Sequence, residues 1–317
     1  MLASFFCNGW GGVVREAVRG VKFGKIDRPD GGNAVRLVTF ERQGIVSYGV
    51  ADGGAIVDVG AQLGSRSADL RAVFAADAVA EVQTTAKKSG ATLQRADVRL
   101  LPVIPNPAKI FCVGLNYRSH VAEMSRPDSG YPAIFTRFAD SQVGDGAPLL
   151  RPSLSTRFDY EGELAIVIGR GGRYIKEAAA LSHIAGYACY NDGSVRDWQR
   201  HTHQWIPGKN FPSTGAFGPW LVTADEIPDP TVITVTTRLN GQVVQNAPLS
   251  NLIYTIPVII AYLSAFTPLA PGDVIATGTP GGVGDRRDPP LYMKAGDVIE
   301  VDVDRVGVLR NTVQDEA

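Results

Sequence analysis

Cysteine is scarce in this chain: Cys7, Cys112 and Cys189 are three among 317 residues, too few and too scattered for a disulfide framework or a zinc knuckle. Cys112 and Cys189 lie in apolar runs and are expected to be buried thiols. No run approaches the roughly 20 apolar residues that a membrane span requires. An excess of either charge is missing too, since 31 Lys and Arg face 32 Asp and Glu for a net charge of -1. That balance argues against nucleic acid and anionic membranes as partners and leaves room only for a local basic pocket. The first residues lack the basic start and long apolar centre of a secretory signal. The stretch from there to Arg28 is richer in Arg and Lys than in acids, so a transit peptide stays open beside a poorly ordered extension. Repeats and low-complexity segments are absent. A hydrophobic fraction of 44% and a charged fraction of 20% then read as an ordinary globular protein of the cytoplasm.

Residues 1–33 show no clean periodicity and end in the breaker cluster RPDGGN, so the folded body is expected to start near Ala34. Short strands with a hairpin at Ala51 to Gly54, followed by one or two helices over 68–89, make a small α+β unit at 34–105. Prolines in LPVIPNPAK mark a linker near 102–108. From 106 to 317 the chain is β-rich, with strands at KIFCVGL, FGPWLVT and GDVIEVDVDRVGVLRNTV and a hairpin at Asn240-Gly241. KEAAALSHIAGY reads as a helix in which His183 is structural, and SNLIYTIPVIIAYLSAFTPL as a helix punctuated by Pro257.

The chemistry gathers between Arg157 and Lys209. In RFDYEGELAIVIG, a strand that begins half exposed and ends buried, Glu161 and Glu163 stand two apart and therefore share a face. Such a pair would raise each other's pKa unless a cation lies between them. Asp192, in the turn-like Asn-Asp-Gly of CYNDGSVRDW, adds a third carboxylate. All-oxygen donors favour Mg²⁺, Mn²⁺ or Ca²⁺ over Zn²⁺. Glu-Gly-Glu alone would equally suit a solvated strand face.

His120 and Glu123 stand at i and i+3, side by side on a helical turn, where a carboxylate orients an imidazole as a general base. An incidental surface pair is the commoner meaning of that spacing. The polar segment MSRPDSGYP after it suits a mobile loop over a pocket. HTH at 201–203 is the competing metal chelate. ATGTPGGVG lacks the endings of a nucleotide loop; there Thr279 has a hydroxyl and an N–H to offer a substrate carboxylate.

From about Lys109 to Val313 the chain resembles the fumarylacetoacetate hydrolase family. GLNYRSHVAE, DYEGELAIVIG, YNDGSVRDWQ, GKNFPSTGAFGPW, LNGQVVQ, LAPGDVIATGTPGGVG and AGDVIEVDVDRVGVLRN carry the likeness in order. It implies a mixed β-roll catalytic domain with a small N-terminal α+β domain, a homodimer, and Mg²⁺ or Mn²⁺ held by Glu161, Glu163 and Asp192. His120 and Glu123 become a catalytic dyad on a lid, Lys209 offsets a developing oxyanion, and Tyr117, Arg118 and Thr279 contact substrate. The implied activity is hydrolysis of a C–C bond in an acylpyruvate or related diketo acid of aromatic catabolism. Decarboxylation of an oxaloacetate-type acid and isomerisation or hydration of 2-hydroxyhepta-2,4-diene-1,7-dioate are the alternatives on the same site. A metal-stabilised binding module is the non-enzymatic one.

Overall fold

The computed structural model describes residues 35–90, 92–124 and 130–317. The expected N-terminal extension and most of the expected loop MSRPDSGYP lie outside the described residues.

One long mixed sheet organises the molecule. The strand Arg36–Arg42 pairs with Ile45–Asp52, which pairs with Ala55–Asp58 through the expected turn at Gly53-Gly54. On its other side Arg36–Arg42 meets Gly215–Thr223 at Arg36↔Val222 and Leu37↔Leu221, and the sheet runs on through Ile184–Asn191, Gly162–Ile168, Val274–Ala276, Ile110–Gly114 and Ala133–Arg137. Helices Leu70–Ala75 and Val79–Lys88 cover its outer face, the first capped by Asp69, whose carboxylate accepts from the Ala72 N–H at 2.8 Å. A second sheet of five strands, Gln242–Pro248, Thr234–Leu239, Val298–Val303, Gly307–Asp315 and Leu149–Arg151, packs on the inner face. The Asn240-Gly241 hairpin turn takes the positive φ values, 52° and 79°, that its sequence favours.

Alternation along the central strand shows how the two layers meet. Leu164, Ile166 and Ile168 enter the core shared with the five-stranded sheet, whereas Ala165 and Val167 enter the core shared with the helices. The expectation of a half-exposed start is therefore corrected: Gly162–Ile168 is buried at every residue, because both faces are covered. Gly162 marks the tightest approach, since a Cβ there would lie 2.0 Å from Thr237 Oγ1 of the second sheet.

Two helix expectations are also corrected. The helix expected over 250–269 begins only at Ile256, with Pro257 in its first turn, where a missing N–H leaves no bond unmade. The segment Glu177–His183 is a 3-10 stretch. Gly169 and Arg170 N–H groups both donate to the His183 carbonyl, fixing the segment's end at the sheet and leaving length only for tightened turns. His183 is structural as expected, with Nδ1 2.8 Å from the Arg170 carbonyl. Cys112 and Cys189 are buried free thiols. Among the described residues no helix is long and apolar enough to cross a membrane.

Candidate functional site

The site forms where two neighbouring central strands end together. Gly162 pairs with Asn191 in register, so Glu161 and Glu163 from one strand meet Asp192 just past the other. The Glu161 N–H donates to Asn191 Oδ1 at 3.1 Å, and the Asp192 N–H donates to the Glu161 carbonyl at 2.8 Å. One carboxylate oxygen of each of Glu161, Glu163 and Asp192 lies within 4.8 Å of the others, and all three residues are buried.

Cations already surround this triad. Lys209, at the end of the short helix Ile206–Lys209, donates from Nζ to Glu161 Oε2 at 2.7 Å and to Asp192 Oδ2 at 2.6 Å. Arg196 Nη1 lies 2.7 Å from Glu161 Oε1, and Arg137 Nη1 2.7 Å from Asp192 Oδ1. Burial opposes charge on Glu161, but Lys209, Arg196 and His120 hold its carboxyl well below the usual range. Glu163 has no such partner. Burial, with Asp192 and Glu161 beside it, pushes its carboxyl well above the ordinary value, against the single N–H of Gly278 at 2.7 Å from Oε2. Its Oε1 accepts no hydrogen bond among the described residues. A triad of clustered oxygens with one uncompensated carboxyl and one free acceptor matches the donor chemistry of a divalent cation. Protein cations thus compensate Glu161 and Asp192, and Glu163 keeps the repulsion that its spacing from Glu161 implies.

Arg196 and Arg137 escaped the sequence reading because a buried arginine has the same local signature as an exposed one; only the tertiary partners reveal it. Arg196 Nε is held 2.8 Å from Asp159 Oδ2, and Arg137 is also fixed by the Gly193 carbonyl at 2.9 Å and Thr214 Oγ1 at 2.8 Å.

His120 and Glu123 lie on the helix Arg118–Met124, with His120 Nδ1 3.5 Å from Glu123 Oε2. That separation is an ion-pair distance, longer than a strong hydrogen bond. Glu123 Oε1 accepts from the Gly282 N–H at 2.5 Å, and Ser119 Oγ accepts from the Gly281 N–H at 3.1 Å, so the helix is docked on the glycine-rich loop. Asn116 braces the helix entry, donating from Nδ2 to the Thr277 carbonyl at 2.7 Å and accepting the Tyr254 N–H at 2.7 Å.

A cavity of about 620 Å³ is lined by His120, Glu161, Glu163, Asp192, Lys209 and Thr279, and also by Gln199 to His203 and Trp205. Tyr117 and Arg118, expected at the substrate, do not line it: Tyr117 is fully buried and Arg118 is exposed. Tyr117 precedes the helix and Arg118 opens it, two positions and so about 200° of helical rotation from His120, which turns it to another side. The Thr279 hydroxyl is already committed, donating to the Gly162 carbonyl at 3.0 Å and accepting from Gln245 Nε2 at 2.8 Å, which leaves its backbone N–H for a ligand. His201 and His203 line the cavity, but among the described residues they gather no third His, Cys, Asp or Glu that would complete a metal site.

The signature "Fumarylacetoacetate (FAA) hydrolase C-terminal" matches residues 109–314. The oxaloacetate tautomerase fahd2, mitochondrial, of Xenopus laevis is 38% identical over 288 residues, covering 88% of this chain and 90% of its own. The oxaloacetate tautomerase FAHD2A, mitochondrial, of Homo sapiens is 41% identical over 223 residues, covering 70% of this chain and 71% of its own. Among solved structures, the fumarylacetoacetate hydrolase of Exiguobacterium antarcticum aligns with TM-score 0.79 at 36% identity over 89% of this chain and 100% of that one. Maleylpyruvate hydrolase from Sphingobium sp. SYK-6, in complex with manganese (II) ion and pyruvate, aligns with TM-score 0.75 at 28% identity, again over 89% and 100%. By its signature, its relatives and its fold, the chain belongs to the fumarylacetoacetate hydrolase family.

Proposed function

We propose that this protein is a divalent-metal-dependent enzyme that acts on a 2-oxo acid through its enol, with keto–enol tautomerisation of an oxaloacetate-type acid as its reaction. The observation that carries the reading is the presence of two proton-handling groups, Lys209 and His120, in the lining of one cavity with the carboxylate triad. The named activity of the Xenopus laevis and Homo sapiens relatives supports the choice of substrate.

Glu161, Glu163 and Asp192 would hold Mg²⁺ or Mn²⁺, which when bound supplies Lewis-acid polarisation of a 2-oxo acid. Lys209 remains an ammonium: burial disfavours its charge, but Asp192 and Glu161 raise its pKa above the ordinary value. With Nζ held at Glu161 Oε2 and Asp192 Oδ2, it serves as a donor to the 2-oxo oxygen. His120, with Nδ1 turned to Glu123, has Nε2 left for the substrate. The proton leaves carbon 3 for Nε2, the C–H electron pair becomes the double bond between carbons 2 and 3, and the charge arriving on the 2-oxo oxygen faces Lys209. Protonation of that oxygen gives the enol, and the reverse sequence gives the ketone.

A second reading, C–C hydrolysis of an acylpyruvate, is favoured by the same dyad. An imidazole oriented by Glu123 also fits deprotonation of a water that attacks the distal carbonyl, after which the C–C bond breaks and pyruvate leaves as its enolate. The test is to supply purified protein and Mg²⁺ with enol-oxaloacetate and, separately, with an acylpyruvate. Accelerated loss of the enol absorbance with no carbon dioxide released supports the tautomerase. Pyruvate formed from the acylpyruvate, with no acceleration of the enol, would replace it by the hydrolase. A homodimer and a cytoplasmic location belong to the same proposal. Light scattering of the full chain tests the first, and cell fractionation tests the second against the mitochondrial naming of the relatives.

A further inference from the structure

One stretch of the cavity wall is the turn Arg196–Gln199 and the residues that follow it. Its polar groups divide by whether they are already engaged. Arg196 gives Nε to Asp159, and Nη1 to Glu161 and to Gln199 Oε1 at 3.0 Å. Arg200 is paired with Asp285. Asp285 in turn takes the Tyr292 hydroxyl at 2.8 Å on its other oxygen, so it presents no free acceptor. What is left is Arg196 Nη2, Arg200 Nε and Nη1, the imidazoles of His201 and His203, and the amide nitrogen of Gln199. His201 and His203 are exposed and Gln199 is half-buried; among the described residues these ring nitrogens and this amide make no hydrogen bond or ion pair, and all three residues line the cavity.

Their placement is built as well as unengaged. The His201 ring lies 4.8 Å from that of Trp198 at 43°, and the backbone N–H of His201 donates to the Trp198 carbonyl at 3.3 Å. Thr202 holds the bend between the two imidazoles, its hydroxyl accepting from the Gln204 N–H at 3.1 Å and donating to the Gln204 carbonyl at 3.3 Å. Two imidazoles and an amide present N–H donors even when uncharged, which is the complement of a carboxylate. Once one carboxylate of a substrate is taken at the triad and Lys209, these unengaged donors of the same cavity are left to receive a second.

We propose that Gln199, His201 and His203 form a subsite for the second carboxylate of a dicarboxylic 2-oxo acid whose first carboxylate and 2-oxo group lie at the triad and Lys209. This inference rests on the enol reading above for the orientation of the substrate, but not for its test. The probes are malate and lactate, stable 2-hydroxy acids that differ by one carboxylate, titrated calorimetrically into the Mn²⁺-loaded protein. The wild type should bind malate at least tenfold more tightly than lactate. His201→Ala and His203→Ala should each erode that ratio, and the double variant should bring it near one, with lactate and Mn²⁺ affinities within twofold of wild type. His203→Gln, which keeps an N–H donor, should retain part of the preference. Equal binding of malate and lactate by the wild type, or a parallel loss of both acids in the variants, overturns the subsite. A loss of Mn²⁺ affinity in the histidine variants would instead assign these residues to metal binding and overturn it too. A malate preference erased by the variants, in a protein that leaves enol-oxaloacetate untouched, would keep the subsite and discard the tautomerase.

Discussion

Lys209 Nζ sits 2.7 Å from Glu161 Oε2 and 2.6 Å from Asp192 Oδ2 with only 1% of its side chain exposed, so a buried ammonium holds two of the three candidate metal ligands together. Replacing it by methionine keeps the volume and removes the charge. Breaking such a buried pair typically costs about 3–5 kcal/mol. Lys209→Met is therefore expected to lower the melting temperature of the metal-free protein markedly, and Mn²⁺ should recover part of the loss by taking over the missing positive charge. An unchanged metal-free melting temperature would show that the ammonium is not what compensates the triad.

Glu163 is the triad member without a cation. Glu163→Gln should leave the fold intact and weaken Mn²⁺ binding about 100-fold or more in calorimetric titration, since one anionic oxygen donor is lost. Asp192→Asn should weaken Mn²⁺ binding likewise and, by breaking the buried pairs with Lys209 and Arg137, should also lower the melting temperature; Mg²⁺ or Mn²⁺, not Zn²⁺, should restore activity after chelation. Wild-type Mn²⁺ affinity in both variants would remove the carboxylate site.

His120→Ala should lower kcat by about 10² to 10⁴ while Mn²⁺ affinity stays within twofold, because the imidazole handles a proton and is not a ligand. Glu123→Gln should do less damage, as it disturbs the orientation of His120 through a 3.5 Å contact. Steady-state kinetics at saturating Mg²⁺ check both, and near-normal turnover by His120→Ala would exclude the dyad.

A Cβ at position 162 would lie 2.0 Å from Thr237 Oγ1. Gly162→Ala should destabilise the protein by about 1–3 kcal/mol or more through overpacking between the sheets. Adding Thr237→Ala, which removes the clashing oxygen, should return part of that stability in denaturant unfolding. Additive losses in the double variant would mean the two sheets do not meet there.

Burial alone would raise the Asp285 carboxyl, yet the bonds from Arg200 and Tyr292 hold it below its ordinary value of 3.8. A folded value below the unfolded one contributes stability that is complete above the unfolded value and is lost as the pH falls through the folded one. The melting temperature of Asp285→Asn should consequently depend less on pH than that of wild type as the solution is acidified from about pH 5 to pH 3. Identical acid profiles would separate Asp285 from the acid limb.

Local pattern determined much of this protein. The apolar run Leu164 to Ile168 could only be a buried strand, Asn240-Gly241 could turn a hairpin at positive φ, and the i, i+2 spacing of Glu161 and Glu163 aimed both at one face. The ordered motifs pointed to the family for the same reason: each is a short stretch whose meaning is carried within itself. Tertiary structure decided what no stretch contains. Whether Gly162–Ile168 is covered on one face or two depends on a second sheet formed by residues 149–151, 234–239, 242–248, 298–303 and 307–315. Whether three carboxylates repel or are compensated depends on Arg137, Arg196 and Lys209, cations brought in from separate elements across 55, 35 and 48 positions of chain. Tyr117 and Arg118 fell outside the cavity and His201 and His203 inside it, because direction at a site is set by how a helix or turn docks. Docking depends on long-range hydrogen bonds, such as those from Gly281 and Gly282 to Ser119 and Glu123, that leave no mark on the sequence either side of them.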